Sequence, residues 1–147
     1  LGMTPSFFAT HTYYWGERHK NIFLGPERAN RISPTKTSLK KEIPFTVHMD
    51  TPIVPMDPML LIWNAVNRET SSGNVLGKGE RISINQALRA TTINAAWQVF
   101  QEGNRGSIEV GKFADLVILS ENPLSEAVDI RNIKVEKTYI GGVAVYP

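Results

Sequence analysis

The chain has 147 residues, no cysteine, a charged share of 20% and a formal net charge of +2. That length supports one domain with a real core. The missing thiols exclude disulfides, thiolate zinc sites and a cysteine nucleophile, and so small a net charge gives no reason to expect nucleic acid as a partner. No apolar run approaches bilayer length and no charged-then-apolar leader opens the chain, so no membrane partner and a cytoplasmic setting are expected. Leu1, Gly2 and Met3 run almost directly into strand-like sequence, which reads as a fragment of something larger.

Residues 3–9 (MTPSFFA) predict a short strand, interrupted by Pro5, with Phe7 and Phe8 at half-buried positions. Residues 10–19 (THTYYWGERH) hold two of the three histidines and a run of aromatic rings around Gly16. They predict either a pocket wall or a packed aromatic loop. Pro26 and Glu27 mark a helix start, and Ser33-Pro34 a stop. A second short helix is expected over residues 36–41, whose Lys36, Lys40 and Lys41 read as a solvated helix end.

Residues 45–55 (FTVHMDTPIVP) carry the strongest signal. Phe45, Val47 and Met49 alternate with Thr46, His48 and Asp50, the period of a strand. Pro52 cannot continue a hydrogen-bonded ladder, so Asp50 falls where the strand ends and a βα loop begins. In a parallel α/β fold that end of the sheet is where chemistry is done. The order strand, aromatic loop, helix, strand is the βαβ rhythm of such a sheet. Extended backbone would put His48 and Asp50 on one face, about 7 Å apart.

Asp57-Pro58 predicts an N-cap and first turn, followed by an apolar stripe through Leu61, Ile62, Ala65 and Val66 toward Arg68. Residues 70–80, rich in glycine, are expected to be mobile and exposed. Ser83 and Gln86 form a capping box, and Thr91-Thr92 is expected to restart the helix. From residue 106 the signals change to short strands: GSIEVGK, ADLVILS, VEKTYI, then Gly141-Gly142 and VAVY, a hairpin. A boundary is therefore expected near residue 102, between an α/β part and a small all-β part.

Together YWGERH, LGPERANRISP, HMDTPIVP, ALRATTINAAW and GSIEVGKFADLVILSENPL resemble the carboxyl-terminal part of the amidohydrolase superfamily. The narrower resemblance is to the amidohydrolase-3 branch, which includes N-substituted formamide deformylase-like enzymes. It implies an α/β fold: the last two βα units of a (β/α)8 metal-hydrolase barrel over residues 1–102, and the carboxyl-terminal strands of a small β-sandwich over residues 103–147. It also implies hydrolysis of amide or cyclic-amide C–N bonds by metal-activated water. Asp50 matches the aspartate that ends the last barrel strand, metal ligand and proton shuttle together. His11, Trp15, Arg18 and His19 fall on the loop that shapes the substrate pocket in the family; for Arg18 the plainer reading is a salt bridge to Glu17, Glu27 or another local acid. Glu17 stands where the family often has Asp, and Met49 where it often has Ser. Asp115 and Lys112 read as structural.

The family's paired histidines, its carboxylated lysine or glutamate and its mid-barrel histidines are absent from this sequence. Zinc or another divalent metal is therefore expected only in the complete enzyme, with none held tightly by this chain and no activity from it alone. The missing amino-terminal part of the same enzyme is the expected partner, beside a small amide-type substrate. The alternative is a non-catalytic binding or self-assembling module, whose open strand edges pair into a homo-oligomer. A small metal site built from His11, His19, His48 and Asp50 is a third reading.

Overall fold

Two short strands, β1 (Ser6–Phe8) and β2 (Thr46–His48), pair in parallel in the computed structural model, which describes residues 2–147. Ser6 lies opposite Thr46, Phe7 opposite Val47 and Phe8 opposite His48. A parallel pair needs a crossover, and here it is helical: α1 (His11–Arg18), a π-helical turn (His19–Phe23), α2 (Gly25–Ala29) and α3 (Thr35–Lys40).

The aromatic loop expected over residues 10–19 is thus a helix. No proline interrupts it, and Gly16, the one weak helix former, is tolerated by packing. A Cβ there would lie 2.8 Å from Thr70 Cγ2, so the missing side chain lets α1 approach the segment after residue 69. The π turn opens at the end of α1, where the Leu24 N–H reaches back five residues to the His19 carbonyl (2.8 Å).

Phe45, Val47 and Met49 are buried, as the alternation requires, but Thr46 is buried as well and bonds Gln98 Oε1 (2.8 Å). Both faces of β2 are therefore covered over most of its length, the usual state of a parallel strand. After β2 the chain enters α4 (Pro58–Asn67), capped by Asp57, whose carboxylate accepts the Leu60 N–H at 3.0 Å. Met59 through Ala65 are all buried, so α4 is a core helix rather than a helix with one apolar stripe.

Residues 71–75 of the glycine-rich segment are exposed, as expected, but the segment is anchored at its ends. Thr70 and Leu76 are buried and Glu69 bridges to Val75. The capping box opens α5 (Ile84–Thr91), and α6 (Ile93–Gln98) restarts at Thr92, both as the sequence predicts.

The last part of the chain is an antiparallel sheet in the order β3 (Leu116–Leu119), β4 (Val135–Ile140), β5 (Val143–Tyr146). Gly141 and Gly142 turn β4 into β5 at φ of 57° and 84°. The expected strand over GSIEVGK is absent; its polar groups close on themselves, with Lys112 Nζ donating to Ser107 Oγ (2.6 Å). Ile130 and Ile133 leave the sheet's neighbourhood to join the core beside α4. Val117, Val143 and Val145 each keep more than half of their surface exposed. Among the described residues no helix is long and apolar enough to cross a membrane.

Candidate active site

The carboxyl end of β2 opens on a groove of about 510 Å³, lined by Val47, His48, Met49, Asp50, Met56 and Leu61 among others. Asp50 is exposed at its rim, two residues past the strand, with φ of 59°. Aspartate is one of the few residue types that visits this left-handed region readily. The conformation turns the chain, and the Asp50 carbonyl then accepts the Ile53 N–H at 2.8 Å across the cis Thr51–Pro52 peptide. The extended geometry that would have set His48 and Asp50 about 7 Å apart on one face therefore ends before Asp50, although both side chains line the groove. Among the described residues the Asp50 carboxylate enters no ion pair.

Met49 closes the base of this loop. It is buried, and its sulfur receives the Asp57 N–H at 3.2 Å. The residue before the key aspartate thus ties the strand end to the cap of α4.

His48 and His11 flank Phe8, and His19 follows on His11. The Phe8 ring stacks with His48 (centroids 5.6 Å apart) and with His11 (5.7 Å), and His19 lies 5.1 Å from His11. Trp15 meets Phe8 edge-on at 6.0 Å. His11 and Trp15 are one helical turn apart on α1, which explains why both reach Phe8. His48 Nδ1 bonds Ser6 Oγ at 2.8 Å, and His11 Nε2 bonds Ser33 Oγ at 3.1 Å. Burial, together with the neighbouring His19, Arg68 and His48, pushes His11 down to about 4, so its imidazole is neutral at neutral pH.

Arg18 departs from the plainer expectation. Among the described residues it forms no salt bridge; its guanidinium lies 5.7 Å from the Phe23 ring. The neighbouring Glu17 is occupied elsewhere, accepting from Thr70 Oγ1 (3.1 Å) and Asn74 Nδ2 (2.9 Å). Asp115 and Lys112 are structural, as read from sequence: Asp115 accepts the Gly141 N–H (2.8 Å) and pairs with Arg105 (3.3 Å).

Two residues connected to His11 escaped the sequence reading. Ser33 appeared there as part of a helix stop, and Arg68 as the end of an apolar helix. Neither carried a signal of its own, since an arginine at a helix carboxyl end is the ordinary complement of the helix dipole.

A catalytic zinc takes about three protein donors. Among the described residues no group of three or more His, Asp or Glu side chains is placed to hold an ion, so His11, His19, His48 and Asp50 are not brought together as one ligand set. Asp50 fits a divalent metal as a single oxygen donor, and the residues present do not complete a centre.

A larger, mostly apolar groove of about 570 Å³ lies between α6 and β3, lined by Ala95, Ala96, Val99, Ile108, Leu116 and Val117 among others. The charges on its rim are Arg105 and Asp115, already paired to each other.

The sequence model of the amidohydrolase family matches residues 1–146. The chain is 33% identical over 134 residues to N-substituted formamide deformylase of Arthrobacter pascens, covering 90% of this chain and 24% of that protein. It is 36% identical over 126 residues to the Arabidopsis thaliana protein LONG AFTER FAR-RED 3, covering 84% and 22%. Among solved structures, an uncharacterized metal-dependent hydrolase from Pyrococcus horikoshii superimposes with a TM-score of 0.70 at 26% identity, over 88% of this chain and 26% of that one. The chain thus spans about a quarter of the length of the curated relatives it matches.

Proposed function

Because the chain belongs to the amidohydrolase family, we propose that it is the carboxyl-terminal part of a metal-dependent hydrolase that cleaves amide or cyclic-amide C–N bonds. In this reading β1 and β2, with their helices, are the last two βα units of a (β/α)8 barrel. The sheet β3–β4–β5 is the carboxyl-terminal share of a small β-sandwich, with the division near residue 102. A two-stranded parallel sheet is not a self-sufficient unit, and the exposed valines of the second sheet are surface that further chain would cover.

The observation that carries the function is the position of Asp50: an exposed carboxylate, free of ion pairs among the described residues, just beyond the carboxyl end of a parallel strand. A divalent metal, zinc by family precedent, would supply Lewis acidity there, with its other donors contributed from beyond this chain. Asp50 takes the proton from the attacking water and returns it to the departing nitrogen. His11, Trp15, Arg18 and His19 face the substrate. The neutral imidazole of His11 polarises the carbonyl, and Arg18, unpaired with any acid among the described residues, meets a carbonyl or carboxylate.

One donor does not make a metal centre, so the chain alone is inactive in this account. Asp50→Asn in the holoenzyme tests the reading: it is expected to lower kcat by about 100-fold or more, the low end for loss of a general acid–base group. Near-normal turnover would end the assignment of Asp50. The edge strand β5, exposed throughout, favours a second reading, a self-pairing module without catalysis. Light scattering decides it: a clean monomer at high concentration removes that reading.

A further inference from the structure

The buried arginine beyond α4 and the strained serine before α3 form a connected device that ends on His11. Arg68 is only 2% exposed, and its own backbone is left-handed, with φ of 51°. Among the described residues its guanidinium pairs with no carboxylate. It spends its donors on three carbonyls: Nη2 on Ile32 (2.7 Å), Nη1 on Ser33 (3.1 Å) and Nε on Leu76 (2.9 Å). Burial lowers it to about 10, which still leaves it cationic at neutral pH. A buried cation is costly unless its surroundings are arranged to receive it, and the carbonyls of residues 32 and 33 are so arranged.

Ser33 is what this arrangement holds in place. Its φ of 44° is one that L residues other than Asn and Asp seldom adopt. Its carbonyl is clamped by Arg68 and by the Thr35 N–H (2.8 Å). Its hydroxyl, 3.1 Å from His11 Nε2, is the one hydrogen-bond partner of that imidazole among the described residues. A neutral imidazole carries one donor and one acceptor nitrogen, and the partner on one nitrogen decides what the other can do.

We propose that Ser33 is a positioning residue for His11, locked in its left-handed conformation by Arg68 so that its hydroxyl, bonded to Nε2, holds the imidazole in one ring orientation and leaves Nδ1 free for substrate. The proposal rests on the reading of His11 as the group that polarises the substrate carbonyl. Through Arg68 it also joins the Asp50 and His11 elements, because α4, which Arg68 terminates, begins at the end of the Asp50 loop.

The test uses the holoenzyme with ¹⁵N-labelled histidine. Ser33→Gly removes the hydroxyl and relieves the positive φ; Ser33→Ala removes it and keeps the backbone strain that the serine already carries. Both are expected to shift the His11 Nε2 resonance in its ¹⁵N spectrum, because that nitrogen loses its partner. Both are also expected to lower kcat about tenfold with KM nearly unchanged, in the range for loss of an orienting partner. Ser33→Gly should unfold at the higher midpoint of the two, because it alone relieves that strain. If Ser33→Gly leaves either the Nε2 resonance or kcat unchanged, the positioning role is overturned. His11→Gln separates this from failure of the underlying reading: unchanged kcat in that variant overturns the role of His11 itself, whatever Ser33 does.

Discussion

Phe8 and His48 are register partners at the ends of two parallel strands, and their rings stack with 19° between planes. His11 stacks on the same phenyl ring from α1, so one apolar side chain organises two imidazoles from different elements. Phe8→Ala removes that common surface. Fully buried Phe→Ala changes cost about 3–5 kcal/mol; Phe8 is half-buried, so a loss of about 2 kcal/mol is expected from urea unfolding. Phe8→Leu should recover at least half of it.

Gly77 has φ of 71°, and a Cβ there would collide first with the Asn30 carbonyl oxygen and then lie 2.9 Å from Arg68 Nη2. Gly73, with φ of 80°, has open space around the same position. Each Gly→Ala change carries the left-handed backbone cost of about 1–2 kcal/mol, but only Gly77→Ala also drives a side chain into the Asn30 carbonyl and the Arg68 guanidinium. Thermal unfolding of both variants should show Gly77→Ala as clearly the more damaging. Equal losses would mean that the close approach of Gly77 to Asn30 and Arg68 carries no stability.

The parallel strands, the capped helix after Asp57, the capping box at Ser83 and the Gly141-Gly142 hairpin were legible because each rests on local chemistry within a few residues. The alternation through residues 45–49 located the buried face of β2, but not the burial of Thr46, which depends on Gln98 more than fifty positions away. The helix over residues 11–18 was missed because its aromatic run and internal glycine look like a loop until Thr70 and Leu76 are seen packed against Gly16. Asp50 was singled out by its place at a strand end before a proline, and the structure puts it exposed two residues past β2. The Ser33–His11 contact and the carbonyl cage of Arg68 join residues 22 to 36 positions apart, a range over which periodicity and capping say nothing.

Asp50 offers a clean separation of chemistry from stability. It is exposed, and asparagine tolerates its left-handed backbone as well as aspartate does. Asp50→Asn should therefore unfold within about 0.5 kcal/mol of the parent in urea. Asp50→Ala has the same lost carboxylate but adds about 1 kcal/mol of left-handed strain. Equal catalytic losses alongside different stabilities would tie the activity to the carboxylate. A stability loss in Asp50→Asn comparable to that of Asp50→Ala would show that the carboxylate also holds the loop.

His11 makes stability depend on pH with a definite sign. Its ordinary value is 6.5, and burial first, then His19, Arg68 and His48, lowers it to about 4 in the folded chain. Between those values the unfolded chain binds the proton and the folded chain does not, so stability rises with pH across the window. The contribution is fully present above 6.5 and is lost as pH falls toward 4. Each unit of separation is worth up to about 1.4 kcal/mol, and less here because the ring is only partly buried. Carboxylates elsewhere also respond to acid, so the quantity to measure is the difference between the parent and His11→Gln. Urea midpoints of the two should draw together, or cross, as pH falls from 7.5 to 4.5. A gap that stays constant over that range would show that His11 titrates alike in the folded and unfolded chains.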